Sequence, residues 1–320
     1  MTTFNIAVWG LGNHAIKRIL PEIAKLQSLN LIGVCSRNII KVNQCAKKWK
    51  CLGWVNPQEM LINDEVDIIY IASPIGIHFP FAEQALNSGK HVWCEKPLTC
   101  NYKDTKFLLN LAEKNKIVVL ESFMYLYHPQ FCKVKKFVNE GKNIHSIICR
   151  FGIPNLEEPG FRSDPNLCGG AFWDVASYPI SALFEIYHEQ EVKVLFSEIS
   201  YKNDSPIDTD GRALLSFSGG ANAYIEWGVG IAYKNEIDIW SEDESFFTDK
   251  IFSKPADFIP TYYFRDCYGN EKIKKGQMCE QFSEMLTKFT KILSNDEEIK
   301  LERRMILGRA KLMDNILNLA

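Results

Sequence analysis

The chain has 320 residues, 46% of them hydrophobic and 24% charged, with a formal net charge of −2. That length supports two domains, the composition is globular, and the small charge gives no reason to expect nucleic acid or an acidic membrane as partner. No apolar run approaches the ~18–20 residues that span a bilayer. Ten cysteines are scattered without a Cys-x-x-Cys pair, and the start MTTFNIAVWG is a polar lead into a strand. A cytoplasmic protein with reduced core cysteines is expected. No His/Cys cluster has ligand spacing, so no metal is expected.

Asn5–Trp9 reads as a short buried strand running into Gly10-Leu11-Gly12-Asn13-His14-Ala15. That stretch fits G-x-G-x-x-G/A, with Ala15 as the small third member. Gly10 makes the tight turn, Gly12 lets backbone approach a pyrophosphate, and the following helix start faces the phosphates. Gly10, Leu11, Gly12, Asn13 and His14 are therefore candidate cofactor-binding residues. Pro21 falls inside the next helical pattern and should kink or divide it. A second strand, Leu31–Cys35, leads to Ser36-Arg37. An NAD site usually places Asp or Glu there for the ribose 2′-hydroxyl; a hydroxyl and a guanidinium suit a 2′-phosphate instead. NADP(H) is expected over NAD(H).

Val42–Trp49 reads as a helix, and Asn56-Pro57 as a helix start. The strand Val66–Ala72 ends at Ser73-Pro74, on the side of a parallel sheet that lines a cofactor crevice. His78 follows, as a cofactor contact or as a capping or packing residue. A helix over Pro80–Ser88 stops at Gly89. Then comes His91-Val92-Trp93-Cys94-Glu95-Lys96-Pro97, a strand that ends in a carboxylate, an ammonium and a proline. Pro97 stops the ladder and biases Lys96 toward extended backbone, and X-Pro permits a cis bond. The nucleotide is expected to bind beside Lys96, with Glu95 adjoining. After a helix over Asn101–Lys114, the strand Ile117–Leu120 ends at Glu121-Ser122. Alternating strands and helices predict an α/β fold with a doubly wound parallel sheet, the Rossmann dinucleotide-binding domain, over 1–121.

Residues 122–320 then form a substrate-binding and oligomerisation domain. The stretch Tyr125–Pro129 starts a helix, Ile144–Phe151 is a strand, and a polar loop over Glu157–Cys168 contains Phe161-Arg162. Asp174 and Tyr178 lie four apart and, on a helix, share one face. Strands at Arg212–Phe217 and Ala223–Trp227 flank Gly219-Gly220, a hairpin signal. With Val192–Phe196 and Ile237–Trp240 they predict a large, mostly antiparallel open sheet. One face is covered by the Asp174–Ile186 helix; the other is apolar enough for a subunit interface, hence a homodimer or homotetramer. Glu280–Leu293 is amphipathic, and a last helix over Glu302–Leu319 should pack back across the domains.

Gly10-Leu11-Gly12, Ser36-Arg37, the Gly89–Leu98 run with its Glu95-Lys96-Pro97, the Glu121–Gln130 segment and Gly169–Tyr178 together carry a resemblance. On them the chain resembles the Gfo/Idh/MocA family of NAD(P)-dependent oxidoreductases over nearly its whole length. The resemblance implies a catalytic role for Lys96, and an aromatic-Arg pair, here Phe161-Arg162, bordering nicotinamide and substrate. Where many members carry D-x-G-x-H, this chain has Asp174-Val175-Ala176-Ser177-Tyr178. The tyrosine version is similar to the glucose–fructose oxidoreductase, dihydrodiol and pentose dehydrogenase, and nucleotide-sugar ketoreductase branches. Ile251–Pro255 also resembles a segment of nucleotide-sugar 3-ketoreductases.

The expected activity is hydride transfer between nicotinamide and a sugar carbonyl or carbinol carbon. Tyr178 would donate a proton, its phenol lowered from ~10 by the Lys96 ammonium, which also stabilises the oxyanion. Asp174 would orient Lys96 or a substrate hydroxyl. Spacing leaves open which of Lys96 and Tyr178 is the donor. A nucleotide-linked keto sugar is the favoured substrate; a free aldose, pentose or dihydrodiol dehydrogenase is the alternative. A non-catalytic NADP-sensing regulator is a second alternative, against which Lys96 and Tyr178 count.

Overall fold

Every strand that the apolar runs of the first half predict joins one parallel sheet. The computed structural model describes residues 3–141, 143–202 and 205–320. The chain divides into two compact units, Met1–Phe123 with Phe282–Leu307, and Met124–Gln281 with Gly308–Ala320.

In the first unit the elements are β1 (Phe4–Trp9), α1 (Leu20–Lys25), β2 (Leu29–Cys35), α2 (Ile39–Trp49), β3 (Leu52–Trp54), α3 (Pro57–Leu61), β4 (Ile68–Ile71), α4 (His78–Asn87), β5 (His91–Glu95), α5 (Tyr102–Asn115) and β6 (Val119–Ser122). The sheet order is β3-β2-β1-β4-β5-β6, with every pairing parallel. Such a sheet buries both faces, so its central strands read as continuous apolar runs: Ile68-Ile69-Tyr70-Ile71 is buried throughout. The order reverses between β1 and β4, where doubly wound sheets bind ligands outside the strand ends. Trp9 pairs with Cys35 and Ile71, Ile71 with Cys94, and Cys94 with Glu121. Gly10, Ser36 and Glu95 therefore come level at one sheet edge.

Strand β3 escaped the periodicity reading because three residues show no period. It fits beside β2 because residue 33 is glycine; a Cβ there would stand 2.2 Å from the Trp54 ring. At Pro21 the helix changes type. A π turn over Ala15–Ile19 runs straight into α1, and Pro21 is the second residue of α1.

The second unit holds α6 (Pro129–Glu140), β7 (Ile144–Ile153), α7 (Ser177–Tyr187), β8 (Val192–Ser200), β9 (Asp210–Phe217), β10 (Asn222–Val229), β11 (Lys234–Ser241), β12 (Glu244–Asp249), β13 (Thr261–Asp266) and β14 (Glu271–Lys275). They build an eight-stranded sheet, β14-β13-β12-β11-β7-β10-β9-β8. Among the described residues of this sheet only β7 and β10 pair in parallel; the predicted hairpin joins β9 and β10. Helix α7 buries Ile180, Leu183 and Ile186, and α6 stacks Phe137 on Phe246 of β12 at 5.0 Å. Strands β12–β14 were not foreseen; β14 is Glu-Lys-Ile-Lys-Lys, exposed along its length.

Two helices remain, α8 (Gln281–Ile292) and α9 (Asp296–Leu319). The sequence division placed all of 122–320 in the second domain, and here the structure differs. Residues 282–307 belong to the first unit, because the apolar face of α8 packs there: Phe289, fully buried, meets Trp93 of β5 edge-on at 5.3 Å. Eight cysteines are free thiols, Cys35, Cys94 and Cys149 among the buried ones. Among the described residues no helix is long and apolar enough to cross a membrane, and no His/Cys/Asp/Glu group could hold a metal ion.

If α8 completes the first unit's core, Phe289→Ala opens a cavity against β5. A loss of about 3–5 kcal/mol in unfolding free energy is expected from urea denaturation. A change under about 1 kcal/mol, the scale of surface substitutions, would contradict this packing.

Candidate active site

At the sheet edge Gly10 has φ +112°, and a Cβ on it would stand 2.5 Å from the Ala72 carbonyl oxygen. Only glycine makes this turn. Gly12 differs: a Cβ there would meet nothing within 4 Å, so this side of the loop lies open to an incoming group. The chain is helical from Asn13 onward, and the Ile16 N–H donates to the Gly12 carbonyl at 3.1 Å. The first N–H groups of such a helix lack internal partners and suit a phosphate. Arg37 is exposed, and the Ser36 hydroxyl accepts from Asn38 N–H at 3.3 Å. Lys41, in the first turn of α2, donates to the Leu11 carbonyl at 3.3 Å. A second cation thus stands between the glycine loop and the end of β2. The residues present fit a dinucleotide.

Glu95 ends β5. His14 Nε2 lies 2.9 Å from its Oε1, and the Tyr70 hydroxyl donates to the same oxygen at 2.6 Å. Burial pushes the Glu95 carboxyl up, but His14, Tyr70 and Lys96 outweigh burial and hold it below the usual carboxylate range. Tyr70 is fully buried and its phenol is pushed well up by burial and by Glu95, so it stays a donor. Lys96 is buried at 8% exposure, and its bond to Pro97 is cis. The Leu98 N–H after the turn donates to Glu121 Oε1 at 2.8 Å. Ser73 and Pro74 lie half-buried after β4. His78 sits behind these loops, fully buried, with Nδ1 2.9 Å from the Pro97 carbonyl and Nε2 2.9 Å from the Ser73 carbonyl.

In the second unit, Tyr178 lies in an aromatic cluster. Phe151 meets its ring edge-on at 5.1 Å, and Tyr125 and Phe252 flank it at 5.8 Å. Its hydroxyl is 4.0 Å from the Met124 sulfur. Asp174 belongs to a π turn over Phe172–Ala176, and α7 starts at Ser177. The pair therefore straddles a change from π to α pitch. Asp174 Oδ2 accepts from Arg162 Nε at 2.6 Å, and the guanidinium lies 4.7 Å over the Phe161 ring. The Gly170 N–H donates to the Arg162 carbonyl at 2.9 Å. Arg162, Asp174 and Tyr178 are thus held on one unit; Lys96 and the glycine loop are held on the other.

The comparisons with known proteins follow this division. Residues 4–123 match the Oxidoreductase family, NAD-binding Rossmann fold, and residues 131–246 match the GFO/IDH/MocA C-terminal domain. The chain belongs to the Gfo/Idh/MocA oxidoreductase family. It is 29% identical, over 83% of its length and 79% of the relative's, to dTDP-3,4-didehydro-2,6-dideoxy-alpha-D-glucose 3-reductase of Streptomyces violaceoruber. It is 30% identical, over 68% of its length and 67% of the relative's, to D-xylose 1-dehydrogenase (NADP(+)) 2 of Haloferax volcanii. A 3-ketoreductase from Actinomadura kijaniata, solved with NADP and TDP-benzene, shares the fold at a TM-score of 0.94. There the identity is 24%, and 100% of this chain and 98% of that one are covered.

For a Gfo/Idh/MocA chain, three placements here went unread in the sequence. Lys41 could have been found, since it lies four past Arg37 on a helix start. Tyr70 looked like any core strand aromatic. Asp208 is a long-range partner: its Oδ2 accepts the Phe172 N–H at 2.6 Å and its carbonyl accepts the Ala171 N–H at 3.1 Å. It thereby caps the helical stretch that carries Asp174 and Tyr178. Gly170, at φ +113°, is required beside it, because a Cβ would stand 2.0 Å from Asp208 Oδ1.

Burial pushes the Asp208 carboxyl from 3.8 up to about 6. A folded-state pKa above the unfolded one favours the protonated fold, so stability present below about pH 4 is lost as pH rises through about 6. Asp208→Asn keeps an acceptor oxygen and removes that charge. Its unfolding free energy should rise relative to wild type between pH 4 and pH 7, by on the order of 2 kcal/mol. A difference that does not vary with pH would contradict the assignment.

Proposed function

We propose that the chain is an NADP(H)-dependent ketoreductase acting on a nucleotide-linked keto sugar. What carries the reading is Lys96 at the end of β5 and Tyr178 on α7, in a chain 29% identical to a dTDP-sugar 3-reductase over most of both lengths. The preference for NADP(H) is supported by Ser36, Arg37 and Lys41, with no carboxylate at the end of β2. When bound, the nicotinamide supplies or accepts the hydride. Glycine loop and helix start would hold the pyrophosphate, and Arg37 and Lys41 would neutralise the 2′-phosphate. Lys96 stabilises negative charge on the sugar oxygen as the carbonyl is reduced, and Tyr178 supplies that oxygen's proton. Asp174 acts through Arg162, fixing the guanidinium for an anionic or hydroxylated part of the substrate.

The free-aldose reading has its own support in the similarity to a D-xylose 1-dehydrogenase. Turnover separates the readings, sensor included. With NADPH, a panel of nucleotide-linked keto sugars and free aldoses should show oxidation of the cofactor by the nucleotide-linked members. Lys96→Ala and Tyr178→Phe should each lower kcat by about 10²-fold or more while NADPH still binds. Near-normal turnover in both sinks the assignment, and tight NADPH binding without any turnover favours the sensor. Arg37→Ala should reduce the NADPH-over-NADH preference by roughly 10–100-fold, the worth of hydrogen bonds to a charged group; an unchanged preference contradicts the NADP reading.

We also propose a homo-oligomer through the sheet face that α6 and α7 leave uncovered. Across five strands, Glu198, Arg212, Glu226, Arg150 and Glu236 form one cross-strand row of alternating charge. Arg150 reaches Glu226 at 2.6 Å and Glu236 at 3.2 Å. The adjacent row includes Phe196, Tyr263 and Ile273, at 44%, 42% and 60% exposure. A charge row beside an apolar row suits a second copy turned to face the first. Tyr263→Lys combined with Ile273→Lys should shift sedimentation velocity to the monomer. A wild-type chain that sediments as a monomer overturns this.

A further inference from the structure

Past β5, residues 96–100 belong to no helix or strand, so Lys96 stands where its flanking backbone is held. Two buried side chains hold it. Glu121 accepts the Leu98 N–H at 2.8 Å, and the His78 ring meets the Pro97 carbonyl at 2.9 Å. The other nitrogen of the same ring meets the Ser73 carbonyl, also at 2.9 Å. The imidazole therefore bridges the loop after β4 and the turn after β5.

A carbonyl oxygen accepts and cannot donate. A neutral imidazole carries one N–H and serves one of the two oxygens; its second nitrogen then sets a lone pair against the other. The imidazolium carries two N–H groups and serves both. Burial pulls the ring below the ordinary histidine range; the two carbonyls and Glu95, at the end of β5, oppose burial, and the Lys96 ammonium adds to it. Glu121 reaches the same turn from β6 through Leu98.

We propose that His78 is a positioning residue for Lys96: a staple between the Ser73 and Pro97 carbonyls that is complete only when the ring is doubly protonated. The proposal rests on the reading of Lys96 as the catalytic cation. As pH falls through the ring's transition both prongs form and the turn is fixed; as pH rises one prong lets go. An Asn or Gln side chain reaches one of the two carbonyls at most.

The test uses the full chain with NADP+ bound and its histidines labelled with 15N, the His78 signals being assigned by their loss in His78→Asn. Two protonated ring nitrogens are expected below the transition and one above, with an inflection in the kcat–pH profile at the same pH. His78→Asn should lower kcat by about 10²-fold, the scale of a misplaced catalytic group, and remove that inflection while NADPH binding is unchanged. His78→Gln serves if the Asn variant does not fold. Wild-type kcat in these variants, an inflection that persists in them, or a ring whose protonation does not change where activity does, overturns the staple. Lys96→Ala is the control. If it is inactive while His78→Asn is normal, the staple alone is wrong; if it is active, the catalytic reading falls and the staple with it.

Discussion

A half-buried carboxylate at the end of β5 is the constraint on which the first unit depends. An unpaired charge in that position would cost several kcal/mol or would neutralise itself. Glu95 does neither, because three elements converge on it: His14 from the glycine loop, Tyr70 from β4 and Lys96 from the adjoining turn. Each partner is thereby fixed in turn. The glycine loop is tied to the strand that presents Lys96, so this sheet edge is arranged before a ligand arrives. Preorganised charge of this kind needs no rearrangement at the moment of reaction.

The second unit solves a similar problem with a helix start. Asp208 takes the Phe172 N–H on its side chain and the Ala171 N–H on its backbone, and the Asp174–Arg162 pair closes the polar loop onto the same turn. Both functional helices begin with a π turn followed by a proline-bearing α segment, Pro21 in one and Pro179 in the other. A π turn redirects the side chains beyond it, and such turns concentrate at functional sites. Here it sends Asp174 to Arg162 while Tyr178 enters the cluster of Tyr125, Phe151 and Phe252.

Features set by local rules were legible in the chain. Gly10 and Gly12, the strand ending in Glu95-Lys96-Pro97, and the hairpin at Gly219-Gly220 all follow from what a few adjacent residues can do. The same holds for both fold classes. What escaped depends on residues distant in sequence. Strand β3 exists because Gly33 makes room for Trp54. Strands β12–β14 lack apolar alternation strong enough to announce them, and α8 belongs to the first unit only because Phe289 finds Trp93. Lys41, Tyr70 and Asp208 touch the site through partners 30, 25 and 36 residues away, at Leu11, Glu95 and Phe172.

The account comes down to one chemical event, hydride transfer to a sugar carbon with Lys96 holding the oxygen's charge. NADPH carrying deuterium at the transferring position of nicotinamide C4, incubated with the enzyme and a nucleotide-linked 3-keto sugar, reports that event directly. NMR of the product should show deuterium on the new carbinol carbon, and Lys96→Ala should transfer it about 10²-fold or more slowly. Deuterium that remains on the cofactor, or appears equally with Lys96→Ala, would contradict the account.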